Sequence, residues 1–401
     1  MLLAEGCIQR SDTRVVTPHD GDVPHVRVQI KVGKRRSNGQ LCKRFEARLF
    51  PPGIFNDDID AHNGRLIASP KERLASRDNS LPIQEPALEF GLISRLIDTM
   101  NDMTRYADWI AVDWGTSNLR AWAMRGKEPV AEAGSDKGMG TVEAGDFEAA
   151  LLEIIDPWLG AGRTPVIACG MVGARQGWIE APYAQVPCPP VGASSVSAPT
   201  KDPRIEVTIL PGLSQSSPAD VMRGEETQIA GYLAEVPEFD GILCMPGTHT
   251  KWVQISAGEV VSFRTFMTGE LFALISTRSV LRHSMDDAFD VDTYLDAVRD
   301  GMANPQALAA RFFALRAAGL LGDPAPGAAK ARLSGLLIGA ELAAAKPYWL
   351  GQRIALLGAG KLNDLYGRAL AAEGAMPEHV DVTRVTLAGL TAAYETLKEA
   401  P

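Results

Sequence analysis

Asp113 closes the apolar run 109–112 and is followed by Gly115, Thr116, Ser117 and Asn118 before a second apolar run opens at Leu119. Such a turn beside an acid at a strand end can hold a phosphate group together with its metal ion. Glycine lets the backbone approach an anion, amides and hydroxyls donate to it, and the carboxylate faces a metal ion. The same residues also suit a plain β-hairpin with an exposed aspartate, and this stretch alone leaves both readings open. A second turn of this kind lies more than 130 positions further on, where the run "ILCM" breaks at Gly247, Thr248 and His249 and resumes as "TKWV". A third, "IALLGAG", enters a helix through Gly358 and Gly360. That third turn is weak by itself, because it has neither the last glycine of a dinucleotide fingerprint nor the spacing of a P-loop.

Strands and helices must carry these turns. Apolar runs predict strands at 109–112, 119–124, 164–170, 205–213, 241–247, 250–256, 259–268 and 353–360. Helical spacing of apolar residues predicts helices near 145–158, 223–236, 269–281, 306–319, 329–346, 361–374 and 386–399. Strands alternating with helices, and hairpins in each half, indicate two α/β domains. Cys169 and Cys244, on apolar strands, read as core thiols.

The first hundred residues have a different character. They hold 15 Lys and Arg against 13 Asp and Glu, whereas the remaining 301 residues hold 25 against 36, and all seven tryptophans follow position 100. Residues 23–32 alternate like a strand but show no evident partner, and 86–99 could form a short amphipathic helix. Residues 1–103 are therefore expected to be a disordered or spurious extension, with the protein starting at Met100 or Met103.

Bulk composition narrows the function. The 401 residues are 46% apolar and 22% charged, an ordinary globular balance. No run of 18 apolar residues predicts a membrane span, and the N-terminus does not read as a signal peptide. The five cysteines have no metal-ligand spacing and fit a reducing cytoplasm. A net charge of −9 without a basic, aromatic-rich patch argues against nucleic acid as a partner.

In their order along the chain, the three turns resemble a known family. Together with "DWGTSNLRAW", "GMVGARQGWIEAPY", "VMRGEETQ", "MPGTHTKWV", "FRTFMTGEL", "LSGLLIGAE" and "GAGKL", they make residues 108–397 similar to the 2-dehydro-3-deoxygalactonokinase family of the sugar-kinase/Hsp70/actin superfamily. The resemblance implies an α/β fold of two ribonuclease H-like domains, 104–222 and 223–401, in the actin-like ATPase/sugar-kinase architecture around an ATP cleft. It also implies ATP and Mg²⁺ as cofactors, and phosphorylation of the 6-hydroxyl of 2-dehydro-3-deoxy-D-galactonate in galactonate catabolism.

The same resemblance assigns roles. Asp113 would orient Mg²⁺ through water. Gly115, Thr116, Ser117 and Asn118 would hold the phosphates from one side, and Gly247, Thr248 and His249 from the other. Gly358 and Gly360 would let adenine and ribose lie against the backbone, beside Lys361. Glu225, 22 positions before Gly247, aligns with the catalytic Asp of related sugar kinases. The alternatives are Glu226, or two acids that merely favour a helix N-terminus. Arg120, Arg223 and Lys251, with Arg175 and Arg264 behind them, are candidates for the substrate carboxylate, arginine being suited to bidentate recognition. The implied partner is a small sugar acid in the cytoplasm, with no membrane, and a homodimer is among the oligomeric states left open. The rivals are a kinase for another sugar acid and a non-catalytic nucleotide-binding regulator.

Overall fold

The computed structural model describes Val26–Arg35, Gln40–Leu49 and residues 106–191, 194–322 and 324–399. The chain divides into Met1–Gln84 and Glu85–Pro401. In the first unit, β1 (Val26–Arg35) pairs antiparallel with β2 (Gln40–Leu49), from Val26 opposite Leu49 to Arg35 opposite Gln40. The alternating run 23–32 thus has a partner. Lys43 interrupts the row Leu41, Phe45, Ala47 and Leu49, which hides the strand pattern of β2 in the sequence. The helix expected over 86–99 lies outside the described residues.

The second unit is mixed α/β. It opens with β3 (Trp109–Trp114), β4 (Leu119–Arg125), β5 (Glu128–Ser135), α1 (Phe147–Ile155) and β6 (Thr164–Gly170). Then come β7 (Tyr183–Gln185), β8 (Val196–Ser197), β9 (Ile205–Ile209), β10 (Gly212–Ser216), β11 (Ala219–Met222) and α2 (Glu225–Glu235). The strands β12 (Gly241–Met245), β13 (Thr250–Ser256) and β14 (Glu259–Phe266) lead into α3 (Thr268–Arg278), α4 (Val291–Ala303), α5 (Leu308–Leu321), α6 (Ala328–Ala344) and α7 (Lys346–Trp349). The chain finishes with β15 (Ile354–Gly358), α8 (Gly360–Ala372), β16 (Glu378–Asp381) and α9 (Val382–Glu399).

Two large sheets share one plan. The first runs β5-β4-β3-β6-β9-β8 and the second β14-β13-β12-β15-β16. In each, three strands form an antiparallel meander, and the next two lie parallel to the meander's first strand. Such parallel pairs need crossovers, and the sequence supplies α1 before β6 and α8 before β16. The strand expected over 205–213 divides at Leu210–Pro211. Pro211 has no N–H to donate, and the chain leaves β9 for β10, which joins the small sheet β11-β10-β7.

The core sits on both faces of both sheets. Ile110, Val112 and Trp114 of β3 pack with Phe147, Leu151 and Ile155 of α1, while Trp109 and Ala111 pack with Leu390 and Ala393 of α9. The second sheet buries Leu243, Val253 and Ile255 against Ile229 and Tyr232 of α2, and its other face against α4, α6 and α8. The helices α2 and α9 therefore fill the layer between the sheets. They cross closely: a Cβ on Gly231 would lie 1.8 Å from the Val385 carbonyl oxygen, and one on Gly389 would lie 1.9 Å from that of Thr227. Among the described residues no helix is long and apolar enough to cross a membrane.

Candidate active site

Asp113 and Arg120 face each other across the β3–β4 ladder. Asp113 continues the row Trp109, Ala111 that faces α9, and being the last position of that row it escapes the core at the strand's end. Its Oδ2 lies 2.6 Å from Arg120 Nη2, and Arg120 Nη1 donates to Thr383 Oγ1 of α9 at 3.4 Å. The turn between the strands is closed by Gly115 N donating to the Asn118 carbonyl at 2.9 Å. Thr116, Ser117 and Asn118 are exposed. The turn rests on a close approach, since a Cβ on Gly138 would stand 2.3 Å from the Thr116 oxygen.

The two Gly-Thr turns meet. Asp113, Gly115, Thr116, Ser117, Asn118 and Arg120 line a cleft of ≈ 710 Å³ whose wall from the second sheet is Thr248. Gly134 and Ser135 of β5 complete it. The sequence reading missed this strand because its alternation uses small and acidic residues, as befits an edge. His249, next to Thr248, pairs instead with Glu270 in the first turn of α3, Nε2 to Oε2 at 2.6 Å.

Gly247 and Thr248 also line an apolar pocket of ≈ 430 Å³ on the second sheet's helical side. Phe272, Phe289, Leu337 and Ile338 form its walls, with Ser334, Lys330 and Lys361 as polar points. Lys361 Nζ stands 4.3 Å from the centroid of the Phe289 ring. Gly358 and Gly360 do not line this pocket. A Cβ on Gly358 would sit 2.7 Å from Asn363 Oδ1, and Gly360, with φ +65°, turns the chain into α8 so that Lys361 and Leu362 reach the pocket. The run "LSGLLIGAE" was the signal for the wall from α6. Phe289 is separated from every motif, and no local pattern marks it.

Beneath the pocket lies a buried acid. Glu341, 3% exposed, accepts from Trp252 Nε1 at 2.8 Å and from the Tyr366 hydroxyl at 2.7 Å, and that hydroxyl also meets Thr250 Oγ1 at 2.9 Å. Burial raises its carboxyl to about 7, against the pull of its Thr268, Tyr366 and Trp252 donors. The network ties α6 and α8 to the start of β13, directly after the second turn.

The adjacent acids at the head of α2 have different surroundings. Glu225 is partly exposed. Its Oε1 lies 2.6 Å from Lys251 Nζ, and its Oε2 accepts from the Arg223 backbone N–H at 3.1 Å. Glu226 is 2% exposed and folds back so that both oxygens accept from Gly224 N, at 2.8 and 2.7 Å. Burial, reinforced by the neighbouring Glu225 carboxylate, raises it to about 7. Arg223 is buried, donating from Nη2 to the Ala181 carbonyl at 2.7 Å. Arg175 pairs with Glu180 on the surface and Arg264 is exposed on β14, so neither joins this group. Cys169 and Cys244 are buried, and burial pushes both thiols up.

An α/β chain whose paired turns converge on one cleft fits a phosphoryl-transferring enzyme, and the family match makes it a sugar-acid kinase. Residues 113–393 match the 2-keto-3-deoxy-galactonokinase family. The chain belongs to that family. A Rhizobium meliloti (strain 1021) relative, a probable 2-dehydro-3-deoxygalactonokinase, is 38% identical over 306 residues, covering 74% of this chain and 99% of that protein. The Escherichia coli (strain K12) 2-dehydro-3-deoxygalactonokinase is 37% identical over 283 residues, 70% of this chain and 93% of that protein. A solved structure from Sinorhizobium meliloti, assigned to the same activity, superposes with a TM-score of 0.68 at 38% identity, over 73% of this chain and 100% of that one.

Proposed function

We propose that this chain transfers the γ-phosphoryl group of ATP to the 6-hydroxyl of 2-dehydro-3-deoxy-D-galactonate, acting in the cytoplasm in galactonate catabolism. The carrying observation is the convergence of Asp113, the 115–118 turn and Thr248 on one cleft. In this reading residues 104–222 and 223–401 are two ribonuclease H-like domains of the actin-like architecture, supported by the strand plan common to the two sheets, with α9 packing back on the first. Residues 1–103 are an extension dispensable for catalysis. The exposed Phe313, Leu320 and Leu321 of α5 offer an apolar face suited to a homodimer.

The site suits Mg²⁺ and ATP. A single carboxylate fits a cation that keeps most of its waters, and Asp113 supplies it at the mouth of an exposed, hydroxyl-rich turn. Bound Mg·ATP supplies the phosphoryl group and the charge that neutralises it. Gly115, Thr116, Ser117 and Asn118 would hold phosphate oxygens from one side and Thr248 from the other, with Gly247 shaping the second turn; His249, expected beside them, is engaged by Glu270. Gly358 and Gly360 shape the turn that presents Lys361 to the nucleoside pocket. Glu225 takes the proton of the substrate hydroxyl: it is the accessible acid of the pair, whereas both oxygens of Glu226 are committed to Gly224. Arg120, Arg223 and Lys251 form the cationic set around the transferred group and the acid. A coupled assay with ATP, Mg²⁺ and a panel of sugar acids tests the reading. Turnover confined to 2-keto-3-deoxy acids is expected, and no turnover of any acid would overturn it.

A further inference from the structure

The run "FRTFMTGEL" belongs to the family resemblance, yet none of its residues takes part in the reaction proposed above. It ends in the head of α3, at Thr268, Gly269 and Glu270, and that head holds the second Gly-Thr turn. The two turns are built differently. The first closes on itself, Gly115 N donating to the Asn118 carbonyl. In the second, the one backbone hydrogen bond outside the strand ladders, among the described residues, comes from α3: Glu270 N donates to the Thr248 carbonyl at 2.9 Å. The Glu270 side chain adds a second link, its Oε2 lying 2.6 Å from His249 Nε2. The approach is close, since a Cβ on Gly269 would lie 2.3 Å from the Gly247 carbonyl oxygen and 3.0 Å from Thr248 Cα. Glycine is unfavourable inside a helix, and this contact is the reason for one here. The rest of α3 is lightly packed: Thr268 is its only buried residue, and the Thr268 hydroxyl meets the buried Glu341. Thr248 lines both the apolar pocket and the Asp113 cleft, so the head of α3 sets the position of the residue that the two cavities share.

We propose that Glu270 is a positioning residue for phosphoryl transfer: through His249 it pins Thr248 against the phosphates of ATP, with His249 acting as a latch and not as a phosphate ligand. The assignment rests on the kinase reading above. Neither His249 nor Glu270 lines the cleft or the pocket, whereas Thr248 between them and the nucleotide lines both. An acid in the first turn of a helix is favoured by the helix dipole alone. The dipole does not account for an imidazole held at 2.6 Å on the residue that follows Thr248. A turn with no closing bond of its own needs such a hold, because a phosphate donor displaced by a fraction of an ångström loses its alignment with the reacting group.

The test measures, by calorimetry on the full-length protein, the affinity for adenosine and for the β,γ-imido analogue of ATP with Mg²⁺. Adenosine reports the apolar pocket, and the ratio of the two affinities reports the phosphate turn. Glu270→Ala should weaken the analogue about 5-fold, the upper range for a half-exposed pair, and leave adenosine unchanged. Glu270→Gln, which keeps a hydrogen-bonding partner for His249 Nε2, should return most of the loss. His249→Ala should reproduce the loss, and the double variant should add nothing to it, because both changes remove the same link. Equal losses on the two ligands, no loss on either, or a Gln variant as weak as Ala would make Glu270 a structural residue of α3 and overturn the proposal. A loss in His249→Ala well beyond that in Glu270→Ala would make the imidazole a phosphate ligand and overturn it as well. A wild type that binds neither ligand would remove the kinase reading, and this assignment with it.

Discussion

At the scale of single residues, the site separates acids by what surrounds them. Asp113 keeps one oxygen against Arg120 and stands at the mouth of an exposed turn. Asp113→Asn should leave the fold intact, since the hydrogen-bonded ladder of β3 and β4 does not use the side chain. Its kcat should fall on the order of 100-fold or more, the scale of lost metal-centred charge stabilisation; wild-type turnover at saturating Mg²⁺ would reduce Asp113 to a turn residue. Glu225→Gln should cost on the order of 10²- to 10⁴-fold in kcat, as expected when a general base is removed, with nucleotide affinity retained. Glu226→Gln should be much milder in rate, because its carboxylate faces Gly224 rather than the cleft. Measuring kcat and ATP affinity for both variants decides between them, and a crippled Glu226→Gln with an active Glu225→Gln would move the base by one residue.

At the scale of elements, the buried Glu341 links α6, α8 and β13, and it makes stability depend on pH. Its folded carboxyl titrates at about 7 and its ordinary value is 4.5. Between those values the unfolded chain has released the proton and the folded chain still holds it, so stability falls as pH rises through the window. The shift is worth roughly 3 kcal/mol. Glu341→Gln removes this contribution, so its melting temperature should change less than that of the wild type between pH 4.5 and pH 7. Parallel profiles for the two proteins would show that Glu341 is not the titrating group. Glu226, also buried, should supply a slope of the same sign in both proteins. The helix α4 shows how an element can be overlooked. Its stripe Tyr294, Ala297, Val298 and Gly301 has correct helical spacing, and Asp290 caps it by accepting from Thr293 N. Two of those four residues are small, so the apolar signal was faint beside the acids around it.

At the scale of the whole molecule, each half carries one Gly-Thr turn, and α2 and α9 cross between the sheets. All of the site residues lie beyond position 103, and the family match spans 113–393. A protein beginning at Met103 should therefore fold and keep its kcat and KM for ATP. Insoluble protein or lost turnover, read by thermal melting and the coupled assay, would assign a structural role to the segment before it.

The two Gly-Thr turns were legible in the sequence because they are local: strand, glycine, hydroxyl and resumed strand are set by backbone geometry within about six positions. The α/β class followed from the same short-range periodicity. Tertiary structure decided everything that depends on partners far along the chain. It closed the Asp113 cleft with Thr248, separated Glu225 from Glu226 by burial, and built the apolar pocket from α3, α6, α8 and the isolated Phe289. It also buried Arg223 with two nitrogens that have no partner among the described residues. Adjacent glutamates are chemically identical in a string of letters. Only the packing of α2 between two sheets pairs one with Lys251 and puts the other in a desolvated interior, where the cost of charge differs.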